Sequence, residues 1–302
     1  MKLSLIVNPS AGGGRAGRSL PAVQGSLARL GLEHRVALTR NLQHARELAV
    51  AAISAHEVAV AFGGDGLIGA VADALKHTEG VLGVLPGGRG NDFARVLGIP
   101  LEPSAACEVL ASGDVCALDL GRVGTRTFIG IASCGFDSVA NRIANETTLV
   151  RGNLVYAYGA LRALAGWKPA TFTVAADGQN PRVVTGYTVA AANSKAYGGG
   201  MFMAPDASLT DGLLDVVIVG QERKLRFLRR LPSVFSGEHV HHANVQVMRC
   251  ASLRVDASRP FTLYADGDPI AELPVTIDTL PRAVRTIVPR PGPGPEPGVA
   301  RA

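Results

Sequence analysis

One carboxylate stands in a stretch otherwise stripped of side chains: Gly63-Gly64-Asp65-Gly66, between the apolar run Val58 to Phe62 and a helical-looking segment from Leu67. Glycine costs both helix and strand, so a cluster of it marks a place where backbone must approach something closely or take an unusual conformation. Bare backbone N–H groups at the start of a helix bind anions, phosphate above all. A carboxylate beside bound phosphates then has a purpose, which is to hold a divalent cation or orient the bound groups. Two other stretches share the character: Asn8-Pro9-Ser10-Ala11-Gly12-Gly13-Gly14, and Pro86-Gly87-Gly88-Arg89-Gly90-Asn91-Asp92. A further turn, Asp266-Gly267-Asp268-Pro269, carries two carboxylates; by residue type alone an ordinary hairpin turn is the better reading.

The elements around these stretches explain why they would meet. Apolar runs at Lys2 to Val7, His34 to Leu38, Val58 to Phe62 and Val81 to Leu85 predict buried strands. Arg18 to Leu30, Leu42 to Ser54, Leu67 to Leu75 and a segment opening at Phe93 have helical spacing. Alternation of this kind predicts an α/β fold with a parallel sheet and right-handed crossovers. All strand-to-helix loops then lie at one edge of the sheet, so Asn8 to Gly14, Thr39, Gly63 to Gly66 and Pro86 to Asp92 converge where such folds bind ligands. Further along, Thr171 to Val174, Val183 to Ala192, Leu214 to Val219, Val245 to Val255, Phe261 to Ala265 and Val275 to Ile277 predict strands with few helices between them.

Several ligand classes can be weighed from the same residues. Gly12 to Gly17 fits G-x-G-x-x-G between strand and helix, and Thr39-Arg40 in place of an acid would suit NADP. Against that reading, Asn8-Pro9-Ser10 intervenes before the glycines, and the other two glycine loops are left without a role. No glycine is followed by Lys-Ser or Lys-Thr, and no V-A-I-K or H-R-D stretch occurs, so neither a Walker A loop nor a protein kinase is indicated. The four cysteines stand apart with no C-x-x-C pair, which fits a reducing cytoplasm, and His239, His241 and His242 lack companions for a zinc site. The apolar start breaks at Asn8-Pro9, too soon for a signal peptide, and no stretch is long enough to span a membrane. Of 302 residues 47% are hydrophobic, and the formal charge of +5, carried mainly by arginine, favours anionic ligands or an acidic membrane surface.

The segments Ile6 to Gly14, Gly63 to Gly66 and Leu85 to Pro100 resemble the diacylglycerol kinase catalytic family of soluble bacterial lipid kinases, which also includes sphingosine and ceramide kinases. The resemblance continues through Leu118 to Gly121 (LDLG), Phe128 to Ala140 (FIGIASCGFDSVA), Ala204 to Val219 (APDASLTDGLLDVVIV) and Tyr264 to Pro269 (YADGDP), so it covers nearly the whole chain in order. It implies two domains: a parallel-sheet nucleotide-binding domain over residues 1–122, rejoined by about 281–290, and a β-rich sandwich for the lipid acceptor over 123–280. The Pro/Gly tail at 291–302 would be disordered.

The resemblance also implies an activity: transfer of the γ-phosphate of ATP to a lipid hydroxyl, diacylglycerol first, giving phosphatidic acid for phospholipid synthesis. A sphingoid base, another hydroxylated lipid, or a regulatory role in nucleotide binding without catalysis are the alternatives. ATP would lie against Asn8, Thr39, Gly63, Gly64, Asp65, Gly66, Leu67, Gly88, Arg89 and Asn91. Asp65, Asp92 and Asp119 match the positions of a water and Mg2+ network, Ser208, Asp211 and Leu213 match a second metal site, and Asp268 matches the proton acceptor, with Asp65 as the other catalytic residue. Two departures stand out. Leu67-Ile68-Gly69-Ala70 replaces Thr or Ser followed by Asn-Glu, which would strip hydroxyl, amide and carboxylate from the nucleotide pocket, and Arg89 replaces a Thr or Ser and could bind phosphate in its stead.

Arg223, Lys224, Arg226, Arg229 and Arg230 crowd one short segment with Leu225, Phe227, Leu228 and Leu231 between them. The pattern fits a basic amphipathic helix resting on anionic lipid, or a solvated helix covering the sheet. The expected partners are therefore ATP, a lipid acceptor and the inner membrane surface, with no nucleic acid, and with a homodimer as a further option.

Overall fold

The computed structural model describes residues 1–147 and 154–290; the expected tail at 291–302 lies outside them. In the first part of the chain strands feed helices in turn: β1 (Lys2–Val7), α1 (Ala11–Arg29), β2 (Glu33–Leu38), α2 (Leu42–Ser54), β3 (Val58–Gly63), α3 (Asp65–Leu75), β4 (Val81–Pro86), α4 (Asp92–Val96), α5 (Pro103–Ser112) and β5 (Asp114–Val123). The first four strands lie in the order β2-β1-β3-β4, every pair parallel. β1, β3 and β4 are apolar almost throughout because helices cover both faces, whereas β2 at the sheet edge is largely exposed. Their core joins Leu5, Ile6, Phe62, Ile68, Leu82 and Leu85 to Leu27 of α1 and Leu110 of α5.

The second part is mainly antiparallel. It contains β6 (Arg126–Phe128), β7 (Ile131–Gly135), α6 (Phe136–Glu146), α7 (Leu154–Gly166), β8 (Ala170–Ala176), β9 (Arg182–Ala192), β10 (Leu214–Gly220), α8 (Lys224–Arg230), β11 (Val245–Cys250), β12 (Ser252–Ala257), β13 (Thr262–Ala265), β14 (Asp268–Glu272) and β15 (Val275–Val288). Its core is aromatic: Phe136 meets Trp167, Tyr187 and Phe227 edge-on, Tyr187 stacks on Phe227 at 4.0 Å between ring centroids, and Phe172 and Phe261 close the far side. The fold is thus α/β, with an N-terminal parallel-sheet domain and a C-terminal β-sandwich domain.

Strand β15 connects the two. Val275 to Asp278 pair with β12, while Arg285 and Thr286 pair in parallel with β4. β5 runs antiparallel beside it, with a register shift between Leu280 and Val284. The expected strand at Val275 to Ile277 is therefore only the start of a 14-residue strand.

Two other expectations are corrected. Val245 to Val255 is not one strand: Asp177 Oδ1 accepts from the N–H groups of Ala251 and Ser252, each at 2.9 Å, and turns the chain between β11, which pairs β10, and β12, which pairs β8 and β15. The second part is also richer in helix than expected, because Phe136, Val139, Ala140 and Ile143 form an apolar stripe on α6 that packs on the sheet.

Candidate active site

Three of the four loops at the carboxyl ends of the parallel strands touch through bare backbone. In the first, Gly12, Gly13 and Gly14 take φ values of +61°, +69° and +85°, so the chain curls in the left-handed region before the regular helix, with Gly14 N donating to the Ser10 carbonyl at 3.1 Å. A Cβ on Gly12 would lie 2.5 Å from the carbonyl oxygen of Gly87, and a Cβ on Gly88 would lie 2.4 Å from the Cα of Gly64. Only glycine allows these loops to lie against one another. Gly87 and Gly88 donate to the carbonyl of Gly63 at 2.7 and 3.1 Å, and Asn8 donates to that of Phe62 at 3.1 Å. Arg15, on the first turn after the glycines, donates to the Gly88 carbonyl and ties the first loop to the fourth. Thr39 stays apart from this cluster, its N–H bound to the carbonyl of Val7 at 2.8 Å.

Asn91 and Leu67 shape the cradle from behind. Asn91 is buried in the left-handed region at φ +53°; its Oδ1 accepts from Gly88 N at 2.7 Å and its Nδ2 donates to the Gly88 carbonyl at 3.2 Å, so the side chain closes the glycine loop on itself. Leu67 is 3% exposed, with Cδ2 only 2.7 Å from where a Gly63 Cβ would be. Leu67, expected against ATP, is therefore corrected to a core residue together with Ile68 and Ala70, and of the Leu67 to Ala70 stretch only Gly69 is part-exposed, 3.9 Å from Asp266 Oδ2 measured from its ideal Cβ. Arg89 is exposed at the loop tip, and Gly66 is exposed on the first turn of α3.

Beside the cradle stand three carboxylates. Asp65 Oδ1 accepts from Phe93 N at 3.0 Å, and a Cβ on Gly90 would lie 3.4 Å from Asp65 Oδ2 and 3.1 Å from Asp92 Oδ2. Asp92 Oδ2 accepts from Gly199 N at 2.8 Å, while its Oδ1 is buried without a partner. Burial, with the charge of Asp65 adding to it, raises the pKa of Asp92. An orphaned buried carboxylate oxygen beside a second carboxylate is what a hard divalent cation needs, so Asp65 and Asp92 fit Mg2+.

The third carboxylate, Asp266, escaped the sequence reading as more than a turn residue. It accepts from the N–H groups of Ile129, Gly130 and Ile131 at 2.8, 2.9 and 3.3 Å, and burial together with the nearby charge of Asp65 pushes it up to about 7. Its turn presents Asp268, which is exposed at the start of β14 and makes no side-chain hydrogen bond among the described contacts.

The remaining expected metal positions lie elsewhere. Asp119 is fully buried and its carboxylate is used by backbone: Oδ2 accepts from Gly212 N at 2.7 Å and Oδ1 from Arg282 N at 2.6 Å. It fastens the loop carrying Ser208, Asp211 and Leu213. There Ser208 Oγ accepts from Thr210 N, Asp211 Oδ1 accepts from Leu213 N at 3.0 Å, and no orphaned buried oxygen occurs among the described residues of that loop.

A loop that the sequence reading missed links this centre to the second domain. Gly198, Gly199 and Gly200 all have positive φ, the signal being their run of three after Tyr197. Gly199 holds Asp92, while Tyr197 Oη donates to Asp137 Oδ2 at 3.0 Å and Thr188 Oγ1 donates to Asp137 Oδ1 at 2.9 Å. Burial raises the pKa of Asp137. Asp137 and Tyr197 line a cavity of about 60 Å³ whose other walls include Met201, Met203, Val219, Phe227, Leu231 and Val234.

A parallel sheet ending in a glycine cradle with paired carboxylates, joined to a β-sandwich with an apolar cavity, defines a phosphate-handling enzyme class, and comparison with known proteins is consistent with it. Residues 2–123 match the diacylglycerol kinase catalytic domain, and residues 130–288 match the YegS C-terminal NAD kinase beta sandwich-like domain. A protein of Mycobacterium tuberculosis named diacylglycerol kinase is 33% identical over 302 residues, covering 96% of each chain. One of that name from Bacillus subtilis is 28% identical, covering 95% of this chain and 96% of its own, and the Escherichia coli protein named "Probable lipid kinase YegS" is 31% identical over 83% and 82%. A crystal structure of a diacylglycerol kinase from Bacillus anthracis superposes with a TM-score of 0.73 at 19% identity, over 96% of this chain and 97% of that one. The chain belongs to the diacylglycerol kinase catalytic-domain family.

Proposed function

We propose that the protein is a lipid kinase that moves the γ-phosphate of ATP to a lipid hydroxyl, with diacylglycerol as the first acceptor and phosphatidic acid as product. The observation that carries the reading is the meeting of the Gly12, Gly64 and Gly88 backbones beside Asp65 and the unpartnered Oδ1 of Asp92. Phosphoryl transfer needs positioning and charge neutralisation more than covalent help from the protein. The left-handed backbone at Gly12 and Gly13 and the start of α3 would supply N–H donors for phosphate oxygens. Asp65 and Asp92 would hold Mg2+, which when bound neutralises phosphate charge. Arg89, exposed at the loop tip, would supply positive charge to the outer phosphate oxygens.

On the acceptor side, Asp268 takes the proton of the attacking hydroxyl, its carboxylate making no hydrogen bond among the described residues. Asp266 holds that turn against Ile129 to Ile131. The hydrocarbon of the acceptor enters the cavity of the second domain by displacing Met201 and Met203, whose unbranched side chains adapt to such filling. Lipid in that cavity bears on the Tyr197 to Met201 loop and so on Gly199, which holds Asp92. No described helix is long and apolar enough to cross a membrane, so the enzyme would meet its acceptor at the bilayer surface, on the cytoplasmic side where ATP is.

The test is phosphate transfer from γ-labelled ATP to a panel of lipids in mixed micelles, with products separated by chromatography. Label in phosphatidic acid is expected; label only in a sphingoid base or another hydroxylated lipid would move the acceptor. No labelled lipid, with ATP still bound, would leave a nucleotide-binding protein without this activity.

A further inference from the structure

Helix α8 divides its side chains between two environments. Phe227 is buried and, with Leu231 just beyond the helix, closes the cavity. On the outer side Leu225 is 77% exposed and Leu228 36%, and Phe235, after the next turn, is 57% exposed. Arg223, Lys224, Arg226 and Arg229 alternate with these apolar groups and are all exposed. The one acid of the segment, Glu222, is sequestered by Arg230 at 3.1 Å, and among the described residues no acid lies within ion-pair distance of Arg223, Arg226 or Arg229. Lys224 reaches the carbonyl of Ala165 on α7 at 3.0 Å, which braces α8 against the domain.

A merely solvated helix has no use for a leucine this exposed, and a protein-packing face would not keep three unpaired guanidinium groups. An anionic bilayer accommodates both, with apolar side chains immersed below the phosphates and arginines at headgroup level. We infer that α8 and the turn after it are the docking face of this protein for an anionic lipid bilayer. Docking there places the inner side of the same helix, and the cavity it closes, directly against the membrane. That second statement rests on the acceptor assigned to the cavity above; the docking itself does not.

The experiment is flotation of the full chain with phosphatidylcholine vesicles, with and without phosphatidylglycerol, beside a rate assay on a short-chain diacylglycerol dissolved as monomer. The wild type is expected to float only with the anionic vesicles, and less so as salt rises. R226A/R229A is expected to lose roughly 25-fold in partitioning, about fivefold for each cation. Leu225→Ser is expected to weaken binding while keeping its salt dependence. Both variants should keep the wild-type melting temperature and the rate on the monomeric acceptor. Equal flotation of the wild type with both vesicle types, or undiminished flotation of the variants, overturns the docking face. Absence of phosphorylation on every acceptor overturns the kinase reading instead, and flotation decides the docking question regardless.

Discussion

At the scale of single residues, the turn Asp266-Gly267-Asp268 holds two aspartates with opposite situations. Asp268 is exposed and makes no side-chain hydrogen bond among the described residues, which suits the proton-acceptor role proposed for it. Asp268→Asn is expected to lower kcat by about 10² to 10⁴ with ATP affinity unchanged, and Asp268→Glu to keep substantial activity; steady-state kinetics on both variants checks this. Asp266 is not the indifferent neighbour that its place in a turn suggests. Its carboxylate satisfies three backbone N–H groups, so an amide in its place sets a donor against a donor. Asp266→Asn is expected to cost about 1 to 3 kcal/mol of stability, read as a lowered melting temperature. The sequence shows both carboxylates but not this difference, because the partners of Asp266 lie more than 130 positions away at Ile129 to Ile131. Asp92 is similar: its residue type and glycine context are legible, whereas its contact with Gly199 depends on a loop from the other domain.

At the scale of elements, glycines in neighbouring positions do opposite things. Gly69 sits mid-helix in α3 with only Asp266 Oδ2 near its ideal Cβ, at 3.9 Å, so Gly69→Ala is expected to stabilise the fold by about 0.5 to 1 kcal/mol. Gly88→Ala would drive a methyl into the Gly64 backbone and is expected to destabilise the protein and abolish ATP binding. Thermal denaturation of the two variants, with and without ATP, distinguishes these outcomes. The same contrast marks what sequence can show. Strands β1 to β4 and helix α2 are legible because continuous apolar runs and 3.6-residue spacing are local signals, and the three glycine loops punctuate them. The corner between β11 and β12 is not legible, since the chain there has no glycine or proline and the turn is imposed by Asp177 from another part of the chain. The inward packing of Leu67 over Gly63 is likewise not legible, because its glycine-rich surroundings point to a ligand.

At the scale of the whole molecule, the two domains are tied by β15 and by buried carboxylates, Asp92 through Gly199 and, above all, Asp119. Asp119 on β5 binds Gly212 of the second domain and Arg282 where β15 passes between them. Asp119→Ala leaves both N–H groups without partners, so a loss on the order of 3 kcal/mol is expected, with the calorimetric transition broadening or splitting as the domains uncouple. That connection matters because the parallel sheet ends in the glycine loops proposed to hold phosphate, while the apolar cavity and Asp268 belong to the other domain. The claim on which everything else depends is that the glycine loops and the Asp65–Asp92 pair form the phosphoryl-transfer centre. Asp65→Asn keeps the size and the acceptor oxygen that Phe93 N requires while deleting the charge. The measurement is the initial rate of labelled phosphate transfer from ATP to diacylglycerol in mixed micelles, at saturating Mg2+, for wild type and Asp65→Asn at equal folded concentration. A fall of about 10²-fold or more with an unchanged melting temperature is predicted; a rate close to that of the wild type would contradict the account.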